Sequence, residues 1–103
     1  MAVRAKFKVQ RIEATQYSRL KKGEDGQPLK GADGKPDYSQ TELVEMRTVV
    51  LSPVYSNGDP NHENTKFWEQ SPSGEIKLGT INPAAWQTFE LGAEYYVDFT
   101  PAE

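Results

Sequence analysis

Residues 3–14 read V-R-A-K-F-K-V-Q-R-I-E-A. Val3, Ala5, Phe7 and Val9 alternate with Arg4, Lys6 and Lys8, the period-two pattern of a strand with one face buried and the other in water. After Val9 the phase slips, because Ile12 and Ala14 fall on the parity of the lysines. One extra residue, a bulge near Gln10 and Arg11, returns both to the apolar face. Tyr17 is back on the first parity, so the strand is predicted to end or bend before it.

The next apolar run, T-E-L-V-E-M-R-T-V-V-L-S-P-V from Thr41, supplies its neighbour. Val44, Met46, Thr48 and Val50 share one parity with Val54, while Leu43, Val49 and Leu51 take the other. A strand apolar on both faces around Val49 to Leu51 belongs in the middle of a sheet or at a barrel crossing. Pro53 ends its ladder. Between the two strands an eight-residue repeat occurs twice, K-G-E-D-G-Q-P-L from Lys22 and K-G-A-D-G-K-P-D from Lys30. Asp-Gly followed by proline is turn chemistry. The segment at about 19–39 is therefore expected to be a polar excursion of two tandem turns, a solvated loop or an arm that orders against a partner.

Beyond Pro53, S-N-G-D-P-N-H-E-N-T reads as a loop, K-F-W-E-Q as a short strand, and E-I-K-L-G-T-I as its hairpin partner across P-S-G. Asn82 and Pro83 make a good helix start, with a short helix near residues 83–90 and Gly92 as its left-handed cap. Trp86 and Phe89, three apart, are expected to pack on the sheet. A last strand runs from about Glu94 to Thr100. There Tyr95, Val97 and Phe99 form the apolar set, whereas Tyr96, Asp98 and Thr100 form a polar one. Tyr95 is expected to be buried with Phe99, and Tyr96 to stand on the solvated face or lie under the helix or long loop. The order predicts one mainly β domain over 1–103, a small antiparallel barrel or sandwich of which an OB-like barrel is one form.

The chain has 103 residues and a net charge of -3, which excludes a whole-chain basic footprint for duplex nucleic acid. It contains no cysteine, hence no disulfide framework, thiol nucleophile or thiolate metal site. Neither a signal peptide nor a membrane-spanning helix is expected from the alternating N-terminus. The single histidine, His62, lies in a turn without a nucleophile elbow or a metal-binding partner, and the calcium-loop spacing fails there because His62 and Trp68 stand where glycine and a carboxylate are needed. No phosphate-cradling glycine motif occurs either. These absences point away from an enzyme, a cofactor and a metal.

Binding surfaces fit the residues better. Arg4, Lys6 and Lys8 make a row of cations along about 14 Å of strand, a track for phosphates or an acidic protein, or simply an exposed sheet face. Phe67 and Trp68 are adjacent, so in a regular strand one faces outward. With Tyr96, Trp68 and the lysines would suit single-stranded nucleic acid, although Tyr96 beside Asp98 suits a protein contact better.

The runs T-K-F-W-E-Q-S-P-S-G-E-I-K-L-G-T-I-N-P-A-A and F-E-L-G-A-E-Y-Y-V-D-F-T-P-A resemble the C-terminal pattern of a group of small tailed-bacteriophage proteins. That pattern is a P-S-G turn, an L-G-T-[IV]-N step, a short helix, then a glycine and Y-Y-V-D-F. The opening A-K-F-K-V and the L-S-P-V are similar too, while the segment 19–39 looks like an addition. The resemblance implies phage origin and a non-enzymatic role, and carries over no site residue. The expectation is an accessory protein of the host cytoplasm that binds a host protein or defence component. The alternatives are a virion structural protein, oligomeric and with the 19–39 arm between subunits, and a single-stranded nucleic-acid binder. No membrane contact is expected.

Overall fold

The alternating runs pair as their patterns require, with β1 (Val3–Leu20) at the centre. The computed structural model describes residues 3–103. Its elements are β1, β2 (Thr41–Pro53), α1 (Glu63–Trp68), β3 (Ile76–Thr80), α2 (Pro83–Trp86) and β4 (Glu94–Phe99). The strands form an antiparallel sheet in the order β3-β2-β1-β4. Because β3 and β4 lie at opposite edges and do not meet, the sheet stays open. The expected barrel or sandwich, OB-like or otherwise, gives way to one twisted layer carrying short helices.

The bulge falls between Val9 and Arg11, where the pairing of β1 with β2 shifts register. Its effect is on packing. Val9 faces Leu51 and Ile12 faces Val49, so the apolar residues on both sides of the bulge share one face. Ala5, Phe7, Val9, Val49 and Leu51 form the buried core, with Ile12, Trp68, Ile76, Phe89, Tyr95 and Val97 packed around it. Val50, on the opposite face, is also buried. Its cross-strand neighbours are Arg11 and Lys77, whose aliphatic stems are long enough to cover it.

β1 neither ends nor bends at Tyr17. It continues paired with β2 to Leu20, where Leu20 faces Thr41. Past the last β3 contact, Arg47 with Thr80, this two-stranded ribbon projects by about 20 Å. The excursion at its tip is built from two alike units. In each, a lysine bridges a proline, Lys22 to Pro28 and Lys30 to Pro36. Asp25 and Asp33 accept hydrogen bonds from the amides of Gln27 and Lys35, and Gly26 and Gly34 turn the chain with φ of 77° and 78°. The units hang on each other through one repeated bond: the Leu29 amide donates to Lys21 O, and the Asp37 amide to Leu29 O. The arm elongates the molecule to 62 × 33 × 19 Å with a radius of gyration of 19.2 Å, whereas a compact chain of this length has about 13 Å.

Residues 66–70 do not form a strand. They lie in and after α1, so β3 pairs with β2 and not with a hairpin partner. The helix starts because the His62 ring accepts a hydrogen bond from the Asn64 amide and Glu63 puts its charge in the first turn. Glu69 closes it in the left-handed region at φ 60°. Asn64 is fully buried. Its Oδ1 accepts from the Lys6 amide at 2.6 Å, and its Nδ2 donates to Lys6 O and Val54 O, both at 2.8 Å. The side chain thus completes the ladder of β1 where β2 has ended.

At the second helix, Asn82 caps as read, accepting from the Ala84 amide, and Pro83 occupies the first turn. The helix is only four residues long, and Gly92 serves the turn into β4 by donating to Val9 O. Replacement of the buried amide tests this account of the sheet. Asn64→Ala leaves the Lys6 N–H and Val54 O without partners, while Lys6 O keeps the Val54 amide, and is expected to cost roughly 2–4 kcal/mol in urea unfolding. A loss within experimental error would show that water replaces the side chain.

Candidate functional site

The face of the sheet opposite the core carries most of the residues singled out for binding. Register sets them side by side: Arg4 lies across from Asp98, Lys6 from Tyr96, and Lys8 from Glu94. Tyr96 is 55% exposed. The Arg4 guanidinium stands 4.6 Å and the Lys6 ammonium 5.3 Å from the centre of its ring, a geometry in which the ring's negative face attracts both cations. Both cations also have carboxylate partners. Arg4 pairs with Asp98 through two hydrogen bonds of 2.6 and 3.0 Å. Lys6 lies 3.3 Å from Glu63 and 3.9 Å from Glu94. Of the row of cations, only Lys8 makes no ion pair among the described residues.

These contacts decide what the surface can do. A phosphate track needs cations free to exchange small ions for phosphates. Here Arg4 and Lys6 are already matched by acids from β4 and α1, so an incoming phosphate would meet Asp98, Glu94 and Glu63 as well. What remains presented is an aromatic ring held in place by charges, a surface suited to a polypeptide. The Arg4 hydrogen bond keeps the Asp98 carboxyl below its usual range. Glu63 is held low first by its own backbone amide at the helix start, with the Lys6 ammonium adding to it against burial. Its Oε1 is shut off from water and makes no well-directed hydrogen bond, so Lys6 is its nearest charge partner.

Trp68 is not part of this face. It sits on α1 with its ring 6.1 Å from Phe7 and 4.5 Å from Phe67, and its indole N–H donates to Ser73 O. The strand reading that left one of Phe67 and Trp68 outward fails because the segment is helical; Trp68 packs and Phe67 is partly exposed. Trp86 is buried with the Arg47 guanidinium 4.9 Å from its ring centre, and Phe89 packs on Tyr95 at 5.3 Å. The tyrosine pair divides by alternation. Tyr95 joins the core margin, its hydroxyl donating to Thr88 O and accepting from the Glu90 amide. Phe99 is not buried with it. At the end of an edge strand it remains 48% exposed, with Phe67 6.3 Å away.

The residues that sequence reasoning missed are on the arm. Tyr17, Leu43 and Tyr38 are 47%, 65% and 76% exposed. Tyr17 faces Val44 on one side of the ribbon, while Leu43 faces Ser18 on the other. An open cleft of about 480 Å³ lies at the root of the tip, lined by Tyr17, Arg19, Lys22, Pro28, Tyr38 and Ile81 among others. The available signal was Leu43 and Tyr17 on opposite parities of two alternating runs; only knowledge that β1 stays paired to Leu20 turns them into exposed residues. No protein-family model matches the chain, and neither a curated protein nor a solved structure matches it.

The carboxylates give this face a pH dependence of known sign. Groups held low in the folded chain contribute stability that is present above the ordinary carboxylate range, near pH 4, and lost as pH falls through their folded values. Protonation of Glu63 releases Lys6 and loosens α1, which is expected to shift the Trp68 indole N–H resonance in NMR as pH falls below about 4. The same titration of Glu63→Gln should leave that resonance much flatter. An unchanged titration there would assign the effect to another group.

Proposed function

We propose that the chain is a non-enzymatic binding protein that grips a protein partner with the β1–β2 arm. The observation that carries this reading is the exposure of Tyr17 and Leu43 on a ribbon that has no core behind it, and of Tyr38 in the turns at its tip. A two-stranded ribbon is marginal on its own in water, and large apolar groups on both its faces raise that cost until a partner covers them. Tyrosine and leucine on a projecting, otherwise polar arm are the anchors of a protein interface, with the charged turns as a rim.

The setting is a tailed bacteriophage and its host's cytoplasm, on the resemblance of the P-S-G, L-G-T-I-N and Y-Y-V-D-F runs. The partner is a host protein or a defence component. The arm itself supports a second reading, a virion subunit such as a decoration or tail protein, because an arm about 20 Å beyond the sheet suits interlocking of neighbours. A role on single-stranded nucleic acid draws less support, since Arg4 and Lys6 are matched by acids.

Affinity capture from infected-cell lysate, with quantitative mass spectrometry, separates these readings. The full chain is expected to retain a defined protein, and the combined Tyr17→Ser, Tyr38→Ser and Leu43→Ser variant to retain at least about tenfold less, the scale of one lost anchor. Retention of nothing specific, or undiminished retention by the variant, overturns the proposal. A constant copy number of the chain in purified virions selects the virion reading.

A further inference from the structure

We propose that β4 is a self-pairing edge: two copies join β4 to β4 antiparallel, about a two-fold axis at Val97, into one continuous eight-stranded sheet. The inference stands on the edge itself and does not depend on the arm.

The backbone of β4 is poised for it. The Val9 amide donates to Ala93 O and Val9 O accepts from the Gly92 amide, so the peptide groups of Val9 point to the β4 side. By the alternation of antiparallel ladders, the peptide groups of Tyr95, Val97 and Phe99 turn toward β1, and those of Glu94, Tyr96 and Asp98 point outward. None of the outward groups has a backbone partner outside the β1 ladder among the described residues. Edge strands are usually blunted by shortness, charged side chains (lysine above all), proline, a bulge or a cover. Between Glu94 and Phe99 the sequence E-Y-Y-V-D-F has no lysine or proline; its two charges, Glu94 and Asp98, lie across from Lys8 and Arg4 of β1, and its six-residue ladder with β1 is regular. The opposite edge, β3, is guarded: it is five residues long and carries Lys77 and Gly79.

Side-chain chemistry selects one register. Pairing about a two-fold axis perpendicular to the sheet sets residues of like parity opposite each other. Centring on Tyr96 would place Glu94 opposite Asp98 of the second copy, like charges in direct apposition, which is destabilising. Centring on Val97 places Val97 opposite Val97 of the second copy, Tyr95 opposite Phe99 of the second copy, and Tyr96 opposite Asp98 of the second copy. The first two sets lie on the core face. The partly exposed Phe99 and Val97 thereby gain an apolar neighbour, and the two cores run together. On the other face, apposition of Tyr96 and Asp98 brings no like charges together. The occupant of this edge is therefore a second copy of the chain.

The absence of cysteine makes a clean test. In the chosen register Val97 is a non-hydrogen-bonded pair with its own copy, with Cα atoms about 4.5 Å apart, within the range of a disulfide. Under mild oxidation Val97→Cys is expected to convert most of the chain to a disulfide-linked dimer, and Tyr96→Cys to convert little. Without oxidation, sedimentation equilibrium should give a dimer across the micromolar range. Tyr96→Pro, which removes an outward N–H and spares the β1 ladder, should give a folded monomer by circular dichroism. A control with residues 21–40 replaced by Asn-Gly should dimerise undiminished. A monomer throughout the range, or linkage at 96 equal to or above that at 97, overturns the proposal. So does a dimer that survives Tyr96→Pro or is lost with the tip.

Discussion

Where β2 ends at Pro53, Val54 still donates its amide to Lys6 O, but the Lys6 N–H and Val54 O no longer meet, and the Asn64 carboxamide bridges them. A side chain with one acceptor and two donors reproduces what a neighbouring strand offers, and Val54 O is satisfied in the same stroke. A buried peptide group without a partner costs as much as several good contacts contribute, so the helix that carries Asn64 cannot drift. Its position then fixes Trp68 against Phe7 on one face of the sheet and Glu63 against Lys6 near the other. Core cover and surface charge pattern both hang on one amide.

The reach of sequence reasoning follows from this. Strand alternation is a local signal, and it gave the core set, the bulge beside Gln10, the buried Val49 to Leu51 and the division between Tyr95 and Tyr96. The helix at Glu63–Trp68 was hidden because its cap is a histidine and its deepest residue an asparagine, in a stretch rich in turn formers. Nothing local distinguishes an asparagine that will complete a distant ladder from one that makes a turn. Openness of the sheet was equally out of reach, since closure depends on whether two edges meet, and no pattern within either strand records that. The candidate cations were legible as residues, but their neutralisation was not. Asp98 and Glu94 lie on the expected last strand, yet only the register shows that they face Arg4 and Lys8.

The molecule divides into two mechanical parts on one continuous strand. The first part of β1 pairs with β4 over Val3–Lys8, meets β2 from Phe7 onward and is covered by α1; the rest, beyond Lys8, has β2 alone. Stability is concentrated in the first, where the buried residues lie, and local opening is concentrated in the second, where backbone bonds are flanked by water on both faces. The two exposed chemistries follow the same division. Charges held in pairs around Tyr96 belong to the rigid half, and unpaired tyrosine and leucine to the compliant one. A partner bound to the compliant half would order it at an entropic cost and leave the rigid half unchanged.

The tandem units at the tip make arm length a quantised trait. Each unit joins the next through the same bond, the amide of a residue to the carbonyl eight positions earlier. The stack is closed by the Lys21 amide on Gln40 O. Gain or loss of one whole repeat by slippage in the coding sequence would therefore preserve this closure and the register of β1 against β2, whereas gain or loss of part of a repeat would break the bond between units. Reach could vary between related chains in steps of eight residues, under selection by whatever the arm must span, while the sheet below stays the same.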